Sequence, residues 1–134
     1  MLEIVIDWPP NIEEIRQAFT LHKGIVFTYG SRVYNPDAGF VNPPLMAHEM
    51  IHSKQQGDDP AGWWERYLRD VPWRASQEIM AYRKQFKEIK KFTHDRELRM
   101  RWLIKLAQDL SGPMYGNPMQ FQNAFKAIKH DRAF

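Results

Sequence analysis

At 134 residues the chain is long enough for one domain with its own core, and at 43% hydrophobic and 26% charged it is of ordinary globular composition. With no cysteine it has neither a disulfide framework nor a thiolate metal site, so any metal must be held by His, Asp or Glu. The net charge of +3 is mildly basic, and no apolar run is long enough to span a membrane.

The opening "MLEIVIDWPP" carries an acid early and reaches Pro9 quickly, which is not the pattern of a signal peptide. A soluble, cytoplasmic protein is the expectation. "LEIVI" alternates Leu2, Ile4 and Ile6 with Glu3 and Val5 and reads as a short strand. "NIEEIRQAF" follows, with Asn11 as N-cap, Glu14 close to a capping-box position, and Ile12, Ile15 and Phe19 on one face. That helix is expected to end near Gly24. "IVFTYGSRVY" reads as a hairpin turning at Gly30-Ser31, and "NPDAGFVNPP" as a loop.

Asn42 can cap the next helix, with Pro43 at its first position, where a missing N–H costs nothing. This helix carries "LMAHEMIHSKQQ" and should stop at Gly57. Asp59 caps a short helix opened by Pro60, and Pro72 opens another that runs to about Lys91. Thr93 is the expected cap of "HDRELRMRWLIKLAQDL", with Leu98, Trp102, Leu103, Leu106 and Leu110 inward. "SGPMYGN" is a tight loop. Asn117-Pro118 opens a last helix with Phe121, Ala124, Phe125 and Ile128 inward. The fold class is therefore α+β, a small N-terminal β-sheet followed by a predominantly helical body, in a single domain over residues 1–134.

His48 and His52 lie one helical turn apart, so both imidazoles share a face and can reach one ion at roughly 2.0–2.1 Å. Glu49 points beside that ion, where it can hold and deprotonate a water, as in H-E-x-x-H metallopeptidases. The plain alternative is an amphipathic helix whose apolar face is Leu45, Met46, Met50 and Ile51. A catalytic zinc site usually has three protein ligands, so a third is owed. His22, His94 and His130 have no motif placing them nearby. Asp58 and Asp59 sit at a helix break and read as capping residues. Glu65 lies on the short Trp-rich helix. Glu78 is favoured, because its helix can return antiparallel to the first and Ala81, on nearly the same face, allows close approach.

The set His48-Glu49-x-x-His52 and Glu78-x-x-Ala81 resembles the gluzincin branch of the zincin metallopeptidases. More narrowly, "YGSRVYNP…LMAHEMIHSKQQG…WWERYLRD…RASQEIMAYR" is similar to small metallopeptidase-like proteins encoded by bacteriophages and prophages. The resemblance covers about residues 29–83. It implies a zincin-like fold, Zn2+ at His48, His52 and Glu78, and amide hydrolysis by a metal-activated water with Glu49 as general base. It also implies a peptide or protein substrate paired with an edge strand drawn from "IVFTY" or "RVY". Where gluzincins carry an acid four positions after the metal glutamate, this chain has Tyr82. The chain is also too short for the large second subdomain that supplies their oxyanion donor.

Donors to the oxyanion would then be Tyr82 and Tyr115, with His94-Asp95 as another pair. Gln56, four after His52, is placed to support the ligands. Trp63, Trp64 and Trp73 form an aromatic group suited to core packing, with a partner or cell-wall surface as the alternative. The alternative function is a non-catalytic, metal-stabilised binding protein or phage accessory component. A nucleic-acid surface of Arg83, Lys84, Lys87, Lys90 and Lys91 ranks last, because "YRKQFKEIKKFTHDRELRMRW" reads as a solvated helix face.

Overall fold

The structure is a computed structural model that describes residues 2–130. It is α+β and mostly helical, with a small sheet near the N-terminus. Strand β1 (Glu3–Val5) precedes helix α1 (Ile12–Ala18), and β2 (Phe27–Tyr29) and β3 (Arg32–Tyr34) follow. The body is α2 (Pro43–Gln56), α3 (Pro60–Arg69), α4 (Val71–Phe92) and α5 (Arg96–Ser111), then a 3-10 turn at Pro113–Tyr115 and α6 (Phe121–Lys129). No helix among the described residues is long and apolar enough to cross a membrane.

The sheet order is β1-β3-β2. β2 and β3 form the expected hairpin, antiparallel with Thr28 opposite Val33, around a turn where Gly30 takes φ 64°. β1 joins β3 in parallel, with Ile4 opposite Val33. This makes β3 the central strand, so "RVY" offers no free edge and the edge strand beside the site is β2.

Local signals fix the helix ends around the site. Asn42 Oδ1 accepts the Leu45 N–H at 2.9 Å, and α2 closes at Gly57, φ 56°. Asp59 and Asp70 cap α3 and α4 in the same way, accepting from Gly62 and Trp73. Other expectations are corrected. α1 stops at Ala18, well before Gly24, because Phe19 turns extended to pack its ring edge-on to Tyr67 at 6.2 Å. Asn11 precedes α1, but its side chain makes no cap hydrogen bond. Thr93 closes α4, and the cap of α5 is Asp95, whose carboxylate accepts from Leu98 N at 3.0 Å. Gln120 immediately precedes α6.

On α5 the buried stripe is Leu103, Leu106, Ala107 and Leu110. Leu98 and Trp102 lie to one side of it, about 130° and 90° around the helix from its centre, and stay 46% and 43% exposed. Phe121 is also exposed, while Ala124 and Ile128 are buried.

Two apolar clusters hold the molecule. One joins Tyr82, Phe86 and Ile89 of α4 to the α5 stripe and to Ala124 and Ile128 of α6. The other gathers Ile15, Phe27, Tyr34, Trp63, Trp64 and Tyr67 from α1, the hairpin and α3. Each fully buried Leu or Ile there contributes about 1.5–3 kcal/mol. The candidate site lies between the two clusters.

Candidate metal centre

The inward face of α2 is not the apolar one. Its buried residues are Ala47, His48, Glu49, His52 and Gln56, whereas Met50 is 43% exposed. Burying so many polar groups is costly unless each finds a partner. They find them on α4 and on the hairpin. Along α2 the contacts run from His48–Gln85 through His52–Glu78 to Gln55–Gln77, so α4 returns antiparallel. Ala81, fully buried, leaves room for that approach.

His48, His52 and Glu78 meet at one point. The two Nε2 atoms are 3.1 Å apart. Glu78 Oε1 lies 3.1 Å from His48 Nε2, and Glu78 Oε2 lies 3.1 Å from His52 Nε2. Ligands at 2.0–2.1 Å around a tetrahedral ion are separated by about 3.3 Å, close to these spacings. Glu65, the other acid considered, is exposed and pairs with Arg69 at 3.1 Å.

Proton placement supports the same reading. His48 Nδ1 bonds Gln85 Oε1 and His52 Nδ1 bonds Gln55 Oε1, each at 2.9 Å. The Gln55 amide is oriented by its own donation to Gln77 O at 3.0 Å. Each Nδ1 therefore carries the hydrogen, and both Nε2 lone pairs face the carboxylate. Three acceptors converging in a buried place need a cation between them, either a proton or a metal. Without a metal the proton goes to His52. Burial opposes its charge, but the Glu78 carboxylate outweighs burial and raises the imidazole to about 9. Burial likewise works to raise Glu78, but the two neighbouring histidines, the charge of His52 foremost, hold it well below the usual carboxylate range.

Two residues that the sequence did not single out complete this shell. Tyr67 donates to Glu78 Oε2 at 2.6 Å, and burial together with the Glu78 charge keeps its phenol protonated, pushing it far above its ordinary value. Gln85 lies two turns after Glu78, on the same face of α4, and that spacing is the signal that could have found it. Gln55, rather than Gln56, supports a histidine. Gln56 ties α2 to the hairpin, accepting from Gly30 N at 2.6 Å and donating to Thr28 O at 2.8 Å. Trp64 Nε1 donates to the same Thr28 carbonyl at 2.9 Å, so that part of the β2 edge is already engaged.

Glu49 is buried, with Oε2 at 3.7 Å from His48 Nε2. Thr28 Oγ1 donates to its Oε1 at 3.2 Å. Burial raises its carboxyl above the ordinary value, against the pull of the two histidines. Tyr82 packs its ring edge-on to His48 at 4.5 Å. Its hydroxyl bonds that of Tyr115 at 2.7 Å, and both line the same cleft as the triad. Arg74, buried, holds the Tyr115 turn by donating to Tyr115 O at 2.9 Å while also bonding Tyr67 O and Leu68 O.

The other histidines do not join the triad. His94 and His130 are exposed, and Asp95 is occupied as a cap. His22 is exposed on the cleft lining, where it contacts Met114 Sδ. The aromatic group serves as packing, as expected. Trp63 stacks on Tyr67 at 4.7 Å and stands 5.3 Å from the His52 ring. Part of the basic stretch is engaged within the molecule: Lys84 and Lys91 both pair with Glu88, and Arg83 donates to Ala127 O.

No protein-family model, curated protein or solved structure matches the chain. The residues of the site alone therefore carry its assignment.

Proposed function

We propose that the chain is a zinc-dependent hydrolase of amide bonds, a gluzincin-like metallopeptidase with His48, His52 and Glu78 as ligands. One observation carries this reading: two imidazole lone pairs and a carboxylate converge at tetrahedral spacing, with a second, separately held carboxylate alongside. A structural site would be closed by a fourth protein ligand, and none joins the three among the described residues. Bound zinc would supply Lewis acidity, bringing the pKa of a coordinated water toward neutrality and polarising a carbonyl.

The protein's own groups supply the rest. Glu49 takes a proton at its carboxylate and passes it to the leaving amine. Burial raises its pKa and so makes it a stronger base than an exposed carboxylate, and Thr28 fixes its orientation. Tyr82 and Tyr115 keep their phenol protons, because burial and the Glu78 charge push both far above the ordinary value. Either can donate to a developing oxyanion.

Elemental analysis of the purified protein tests the first half. The expected result is about one zinc per chain, lost in His48→Ala and in Glu78→Ala. Glu49→Gln tests the second half. It should keep the metal while peptide hydrolysis falls by roughly 10²- to 10⁴-fold. A Glu49→Gln protein that cleaves like the parent would remove Glu49 from the mechanism.

A further inference from the structure

The metal centre is shut away from solvent. His48, Glu49, His52 and Glu78 are each no more than 5% exposed. A site that takes up an ion and then a carbonyl has to admit both, so one wall of its cleft must give. Most walls are fixed. α2 and α4 carry the ligands and are tied to each other through Gln55 and Gln85. β2 is held to α2 and α3 at Thr28 O, which accepts from Gln56 and Trp64. α1, α3 and α5 contribute buried residues to the two apolar clusters. The turn that bears Tyr115 is pinned by buried Arg74 and by the Tyr82 hydroxyl.

The wall that remains is residues 20–26, between α1 and β2, which belong to neither helix nor strand. Leu21 and Ile25 are half-buried against the aromatic cluster, while His22, Lys23 and Gly24 are exposed. The segment is thus apolar beneath and polar above, and it lines the same cleft as the triad. At Gly24 it is moored on the outside, where the N–H donates to Asp37 at 2.7 Å. Across the cleft it meets the opposite wall: His22 Nε2 stands 2.9 Å from Met114 Sδ, on the Tyr115 turn, 92 residues away in sequence. We infer that residues 20–26 are a strap over the metal centre and that the His22–Met114 contact is its latch, so that these two residues set access to the triad. The inference rests on the metal-binding half of the zinc-hydrolase reading. Lifting the strap uncovers Leu21 and Ile25, and reburying them closes it again.

Zinc exchange tests it without any substrate. Zinc-loaded protein is mixed with an excess of EDTA and the rate of metal loss is followed. His22→Ala, an exposed position that the fold tolerates, should release zinc about 2- to 10-fold faster, the range for losing one weak contact. Met114→Ala, from the other side of the latch, should do the same. The double variant should be no faster than either single one, because both remove the same contact. A latch speeds entry and exit alike, so the zinc dissociation constant measured by chelator competition should stay where it was. A contact that merely supports the ligands would raise that constant instead. Release rates unchanged in both variants, or faster release matched by weaker affinity, overturn the strap and leave the zinc reading standing. A chain that takes up no zinc overturns both.

Discussion

Helix α4 packs on both sides, and its two interfaces are built from opposite chemistry. Toward α5 and α6 it offers Phe86 and Ile89, which meet Leu103, Leu106, Leu110 and Ile128. Toward α2 it offers Glu78 and Gln85, which meet His48 and His52. The first interface stabilises whether or not anything is bound, by about 1.5–3 kcal/mol for each buried side chain. The second contributes little by itself. Its polar groups lose water on folding, and each one left unpartnered costs about 1–3 kcal/mol. A helix pair that needed only to be stable would be apolar on both sides. The polar side makes sense if its stability depends on what it holds.

The largest effect expected from this contrast is that of metal on stability. Zinc at a thousandfold excess over its dissociation constant should stabilise the fold by about 4 kcal/mol. For a chain of this length that is a melting shift of roughly 10–15 °C. Thermal melts in chelator and after zinc is restored measure it directly, and coincident melts would break the contrast. Next is Leu110→Ala in the apolar interface, which should cost about 2–5 kcal/mol in urea unfolding. Zinc per folded chain should not change. If that variant folds but loses zinc, the two faces of α4 are one unit and the distinction fails.

A smaller effect sharpens the polar side. Gln85→Ala leaves His48 Nδ1 without its acceptor, and Tyr67→Phe leaves Glu78 Oε2 without its donor. Each should raise the zinc dissociation constant about 10- to 100-fold in a chelator competition. Unchanged affinity in both would mean that these bonds serve only the fold.

The same contrast explains what was readable from sequence. The apolar interface was read by periodicity, and that reading failed at three positions counted inward and found exposed: Leu98 and Trp102, to one side of the buried α5 stripe, and Phe121, the first residue of α6. The polar interface is invisible to hydrophobic periodicity. It was found through His48, Glu49 and His52, and through Ala81 as a mark of close approach near Glu78. Tyr67 was missed because it reaches Glu78 across the bend between α3 and α4, which no spacing rule encodes. Gln55 and Gln56 both fall within a turn of His52. Which one supports the histidine is decided by what lies on each side of α2: α4 beside Gln55, the hairpin beside Gln56. The early end of α1 is likewise a tertiary effect, set by Phe19 packing on Tyr67.

The smallest expected effect concerns protons. In metal-free protein, against the pull of burial, the Glu78 carboxylate pushes the His52 imidazole up to about 9 from its ordinary 6.5. A raised histidine stabilises the folded state fully below pH 6.5, and that contribution is lost as pH rises toward 9. Glu78, held low, contributes above about pH 4.5 and is lost as pH falls. The His52–Glu78 pair without metal therefore stabilises most between about pH 4.5 and 6.5, where the His52 proton occupies the place of a cation. Zinc must displace that proton. Loading at pH 7.5 should release about one proton per chain, measured by calorimetry in buffers of different ionisation enthalpy. The melting shift caused by zinc should also widen from pH 6.5 to pH 9, because the metal-free form loses its proton bridge while the zinc form needs no proton on either imidazole. A shift that narrows over that range would mean that the proton bridge is not what zinc replaces, and the two-sided account of α4 would lose its electrostatic half.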